Sequence, residues 1–194
     1  GSLRGPLDYG TPSGAVIWLA LVRHVPDAPD RLGSVVLNPG GPGGSGVQFV
    51  KAVWAAVSRE LGNRFDVVSF DPRGVGASDP VRCVSSKVED EFVSYDADPA
   101  NPGEVTHLRQ LDNEFAKGCA ERSGALLGRV GTVDAARDLD VLRAALGDAK
   151  LTYLGESYGT FLGAIYAQLF PTHVRAMVLD GAVDPTLDDV AQGN

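Results

Sequence analysis

Short apolar runs that end in glycine- or proline-rich turns, each followed by an amphipathic segment, constrain the fold of this chain more than any other feature. The runs are AVIWLALV at residues 15–22, SVVL at 34–37, FDVVSF at 65–70, LTYL at 151–154 and AMVL at 176–179. Between them, apolar residues at spacings of three and four predict helices. One covers residues 47–57, with Val50, Val53, Trp54 and Val57 on its stripe. Others cover residues 104–120 and 158–170, the second stopped by Pro171. A further helix begins at Thr132 as N-cap, with Asp134 in the first turn, where the helix dipole favours negative charge. Its stripe is Leu139, Leu142 and Leu146, and Gly147 ends it. Such alternation predicts an α/β fold: a doubly wound, mostly parallel sheet covered by helices. The runs VVL and AMVL are continuous rather than alternating, which predicts strands buried on both faces. Residues 79–103 are polar and proline-bearing and read as a surface excursion. Neither a repeat nor a linker is visible, so residues 1–194 are expected to belong to a single domain.

With 194 residues, 44% of them hydrophobic, the chain can bury one sizeable core. The 25 acidic residues outnumber the 17 basic ones, a net charge of −8. That balance argues against nucleic acid or an anionic membrane as partner, because phosphate binding needs a basic face. No run is long and apolar enough to span a bilayer, and no signal-peptide pattern opens these residues. A leader removed beforehand is compatible with that. The two cysteines, Cys83 and Cys119, have no zinc-ligand spacing. Two buried thiols or one disulfide remain open, and a disulfide would point to an exported protein.

Two segments carry the chemistry. Gly155-Glu156-Ser157-Tyr158-Gly159 joins a strand-like run to a helix-like one. A serine held on so tight a turn has a strained backbone and needs small neighbours. It matches the nucleophile-elbow pattern, in which the following helix points its positive end at the reaction centre. The second segment, NPGGPGGSG at residues 38–46, also follows a strand and precedes a helix. No lysine follows in phosphate-loop spacing, so an oxyanion turn is the better reading. Its expected donors are the N–H of Gly41 and that of Tyr158, the residue after the nucleophile.

These two segments, with FDPRGVGASDPVRC, GTVDAARDLDVLRAALG and VLDGAVDP, are similar in order and spacing to the α/β-hydrolase fold. More narrowly, they resemble the bacterial secreted tripeptidyl aminopeptidase and proline iminopeptidase group of serine exopeptidases. The resemblance implies cleavage of short peptides from a free amino terminus, by an acyl-enzyme route without metal or organic cofactor. It also implies export and a disulfide between Cys83 and Cys119. Arg73 and Asp71 are read together as organising a loop near the site. Glu156 has a counterpart in serine carboxypeptidases, where it helps hold the substrate; a solvated or loop-bonded carboxylate is the ordinary reading.

A serine of this kind needs a histidine base and an acid, in the chain order serine, acid, histidine. His24 and His107 precede Ser157, and His173 falls at the start of the last strand, remote from the elbow. Asp180 ends that strand and is a candidate acid, although fixing the turn before Gly181 is its ordinary role. By resemblance, the acid, the histidine, a helical cap and the last strands lie beyond residue 194. The chain is therefore expected to be the amino-terminal part of a catalytic domain, reaching about the sixth strand. The remainder is expected from a second polypeptide, and the chain alone is expected to be almost inert. An esterase, amidase or carboxypeptidase on the same machinery is the nearest alternative. A noncatalytic structural half of a complex is the alternative of another class.

Overall fold

The computed structural model describes residues 1–186, which fall into two compact units: Gly1–Pro80 with the described residues from 130 onward, and Val81–Arg129. In the larger unit a six-stranded sheet is ordered β1(Ser2–Pro6), β2(Val16–His24), β4(Asp66–Phe70), β3(Ser34–Asn38), β5(Leu151–Glu156), β6(Val174–Asp180). From β4 through β3 and β5 to β6 the strands are parallel, whereas β2 runs antiparallel to both β1 and β4. The expected α/β architecture is present as a mixed sheet.

Strand β3 is buried along its whole length, as its continuous apolar run implied. Helix α1 (Gly46–Glu60) covers one of its faces, where Val50 joins a core of Val35, Leu37 and Val67, flanked by Val53, Val57 and Leu154. On the other face, Tyr153 of β5 lies against Gly163 of α5 (Tyr158–Leu169), and α4 (Thr132–Ala145) buries Ala136, Leu139 and Leu142. From β3 the chain winds through α1 to β4 on one side, while β5 returns to pair with β3 on the other. Ligand crevices form at such a reversal, outside the carboxyl ends of the strands. In register, Asn38 of β3 stands beside Gly155 of β5. The two chemistry-bearing turns therefore leave the sheet side by side.

Several expectations need correction. Strand β6 is not buried on both faces: Val178 is 60% and Leu179 38% exposed. It lies at the end of the strand order and pairs only with β5 among the described residues. Strand β1 was not foreseen, because SLRGP carries almost no apolar signal; pairing with β2 makes it a strand. Trp54 is half-exposed, its ring 3.7 Å from that of His24, rather than in the core stripe. Gly131, not Thr132, caps α4.

The smaller unit contains α2 (Ser86–Ser94) and α3 (Pro102–Leu127). Helix α2 buries no residue, which is why residues 79–103 looked structureless in sequence. Phe92 stacks on Phe115, and the Arg82 backbone exchanges two hydrogen bonds with the Ser123 hydroxyl. Cys83 and Cys119 form a disulfide, as the resemblance implied.

Candidate active site

Ser157 joins β5 to α5 with φ 53° and ψ −124°, a left-handed conformation that few non-glycine residues adopt. Its side chain is exposed. The strain is held from several sides. The Ser157 N–H donates to the Asp180 carbonyl at 2.9 Å, and the Thr160 N–H and hydroxyl both donate to the Ser157 carbonyl. Glycine is required on either flank. A Cβ on Gly155 would stand 2.4 Å from the Gly159 carbonyl oxygen, and one on Gly159 would stand 2.7 Å from that of Asn38. Strand, serine and helix can therefore approach only because both residues lack side chains.

The glycine-rich turn lies directly against this elbow. A Cβ on Gly40 would fall 2.4 Å from the Glu156 carbonyl oxygen and 2.8 Å from the Tyr158 nitrogen. Gly40, Gly41 and Gly43 have φ of 82°, 111° and 97°. The turn is tied at both ends. Asn38 Oδ1 accepts the Gly40 N–H, and Asp71 Oδ1 accepts the Ser45 hydroxyl at 2.6 Å and the Val47 N–H at 3.0 Å. Ser45 in turn caps α1 by accepting the Gln48 N–H. A cavity of about 580 Å³ is lined by Gly41, Pro42, Thr132, Ser157, Tyr158 and Phe161, among others. Ser157, Gly41 and Tyr158 thus share one opening. Neither the Gly41 nor the Tyr158 N–H donates to a protein group among the described residues. Tyr158 is further fixed by a 2.7 Å bond between its hydroxyl and that of Thr132; burial pushes its phenol up, and this bond pulls against it.

The remaining candidates divide. Glu156 is partly buried, in register with Asp180 on β6. Asp180 is exposed and touches the elbow through its backbone. All three imidazoles are engaged elsewhere: His24 against Trp54, His107 with Glu91, and His173 with Asp140 at 2.8 Å. His173 precedes β6 and Asp180 ends it, a separation of roughly 20 Å at the rise of a strand.

Arg73 and Asp71, read together as organising a loop near the site, serve different partners in the contacts among the described residues. Arg73 forks onto Asp138 of α4 at 2.6 and 2.7 Å, with both side chains fully buried, and also donates to the Pro6 and Leu7 carbonyls. Tyr9 adds a hydrogen bond to Asp138. Burial pushes the Asp138 carboxyl up, and Arg73 and Tyr9 pull against it. Asp71 instead serves the glycine-rich turn. Two positioning contacts escaped the sequence reading, Asn38 to Gly40 and Thr132 to Tyr158. The first had a signal, a polar residue closing an apolar buried strand; the second had none, because it joins residues 26 apart.

Residues 33–193 match the family model described as alpha/beta hydrolase fold. The chain is 46% identical over 193 residues to a protein named serine protease Hip1 of Mycobacterium tuberculosis, covering 98% of this chain and 37% of that protein. It is 46% identical to the tripeptidyl aminopeptidase of Streptomyces lividans, covering 95% of this chain and 35% of that protein. To carboxylesterase B of Mycobacterium tuberculosis it is 45% identical, covering 96% and 36%. The chain thus spans little more than a third of the length of these relatives. Among solved structures, a probable hydrolytic enzyme of Pseudomonas aeruginosa superposes with a TM-score of 0.52 at 17% identity, over 92% of this chain and 40% of that one. That likeness bears on fold alone. Sheet order, elbow and family model agree, and the chain belongs to the α/β hydrolase fold family.

Proposed function

We propose that this chain carries the nucleophile and oxyanion cradle of a serine hydrolase that removes short peptides from a free amino terminus. The observation that carries the reading is the contact between the two turns: Gly40 presses on the elbow that holds Ser157 exposed at positive φ. In this reading the Ser157 hydroxyl attacks the peptide carbonyl. The Gly41 and Tyr158 amides stabilise the oxyanion, where one such donor is typically worth ~10²–10³ in kcat. Water then hydrolyses the acyl-enzyme. The acid and the histidine come from outside the described residues, carried by the continuation of the polypeptide or by a second chain. Similarity to proteins named tripeptidyl aminopeptidase and serine protease favours a peptide substrate. The Cys83–Cys119 disulfide favours an oxidising, exported location, and no helix among the described residues is long and apolar enough to cross a membrane.

Carboxylesterase B is nearly as similar, which makes ester hydrolysis the second reading. The full-length polypeptide, wild type and Ser157→Ala, should be assayed on tripeptide anilides with free and blocked amino termini and on acyl esters. The expected result is hydrolysis of the free-amino peptide that the substitution abolishes. Equal turnover of the blocked peptide removes the aminopeptidase reading, and unchanged turnover by Ser157→Ala removes the nucleophile.

A further inference from the structure

Asn38 closes a strand whose other members, Ser34, Val35, Val36 and Leu37, are all buried, and it is itself only 1% exposed. Its Oδ1 accepts the Gly40 N–H at 2.9 Å, a link of the kind asparagine uses to shape a turn. That bond fixes which end of the amide is oxygen. The other end, Nδ2, is the one buried side-chain nitrogen or oxygen without a hydrogen-bond partner among the described residues. An orphaned buried donor is unfavourable, and an apolar residue like its neighbours would avoid it. The bond the side chain makes is the one from the Gly40 N–H to its oxygen. What it holds is the point where the turn meets the elbow, since Gly40 abuts the Glu156 carbonyl and the Tyr158 nitrogen. Asn38 also faces the first turn of α5, for a Cβ on Gly159 would lie 2.9 Å from its Oδ1.

We propose that Asn38 is a positioning residue for hydrolysis: by holding the Gly40 N–H it sets the direction of the adjoining Gly41 amide. The inference rests on the reading of Ser157 as nucleophile and Gly41 as oxyanion donor. Gly40 and Gly41 have φ of 82° and 111°, and glycine has little preference of its own among such conformations. A hydrogen bond at the first residue of the turn selects one. Asn38 acts through the backbone, and its influence is felt where negative charge develops on the carbonyl oxygen. Such an interaction belongs to the transition state, so losing it lowers kcat and leaves KM nearly unchanged.

The test uses the full-length enzyme with a free-amino peptide anilide as substrate. Asn38→Leu, close in size and without either polar end, is expected to lower kcat by ~10²-fold with KM within about threefold of wild type. A peptide aldehyde, whose hemiacetal oxygen sits where the oxyanion forms, should lose affinity by the same factor, while a product-like peptide should not. Asn38→Ser can make the same turn bond more weakly and should fall between the two. That variant carries the test alone should the leucine variant fail to fold. Wild-type kcat and aldehyde affinity in the folded variants overturn the proposal, as does a loss confined to KM. Ser157→Ala, measured in parallel, separates the failures. If it abolishes hydrolysis while the Asn38 variants keep kcat, only the role of Asn38 falls; if hydrolysis survives it, the nucleophile reading falls first.

Discussion

Gly40 and Gly43 sit in one turn at positive φ, but an added methyl would meet backbone at Gly40 and open space at Gly43. The pair therefore separates steric collision from backbone strain. Gly43→Ala bears only the conformational cost and should lose about 1–3 kcal/mol with most activity retained. Gly40→Ala must also displace the elbow, because the atoms it meets are backbone and cannot swing away. It should cost more than about 3 kcal/mol, and kcat should collapse. Urea denaturation with kcat measurement on both variants checks the order. Equal effects would mean that the turn does not bear on Ser157 as described.

Helix α4 is tied into its unit by charge as well as by Leu139 and Leu142. Arg73 and Asp138 are both fully buried, so removing one leaves an uncompensated charge. Arg73→Met is expected to cost about 3–5 kcal/mol, and the double variant with Asp138→Leu to recover part of it. A double variant no more stable than either single one would refute this. Two residues further along the same helix, Asp140 accepts hydrogen bonds from Arg143, Tyr166 and His173. Burial pushes its carboxyl up, but these bonds outweigh burial and hold it below its ordinary 3.8. A depressed carboxyl contributes stability that is fully present above that ordinary value and is lost as pH falls through the folded one. The stability gap between wild type and Asp140→Asn should therefore narrow as urea melts are taken from neutral pH to below about 4. A gap that widens in acid would reverse the sign assigned here.

The two compact units of the molecule rely on different supports. The larger one has a sheet with helices on both faces, whereas the unit Val81–Arg129 has α2 with no buried residue and α3 with only Leu111 and Ser123 buried. Its disulfide joins residues 36 apart in sequence. On loop-closure grounds such a link is worth about 3–4 kcal/mol. Replacing both cysteines by serine should raise hydrogen exchange across α2 and α3 while leaving β3 and β5 protected. Unchanged exchange in α2 and α3 would show that side-chain packing suffices there. On the larger unit, an apolar cavity of about 390 Å³ runs beside β6, lined by Val57, Leu61, Phe65, Met177 and Val178 among others. It accompanies the exposed face of that strand.

Local sequence determined the elements whose residues agree with their neighbours. The buried run of β3, the stripe of α1 and the glycines flanking Ser157 follow from period and steric demand, which act over a few positions. The elbow was legible because a strained serine leaves a signature in the residues beside it. Tertiary structure decided everything that depends on distant partners. It made a strand of SLRGP by pairing it with β2 and set Arg73 on Asp138 of α4. It also brought Asn38 and Gly40 against the elbow, since only the register of β3 with β5 places residues that far apart in contact. Hydrogen bonds and burial between remote segments depend on where the sheet sets them, and no short stretch of sequence records that.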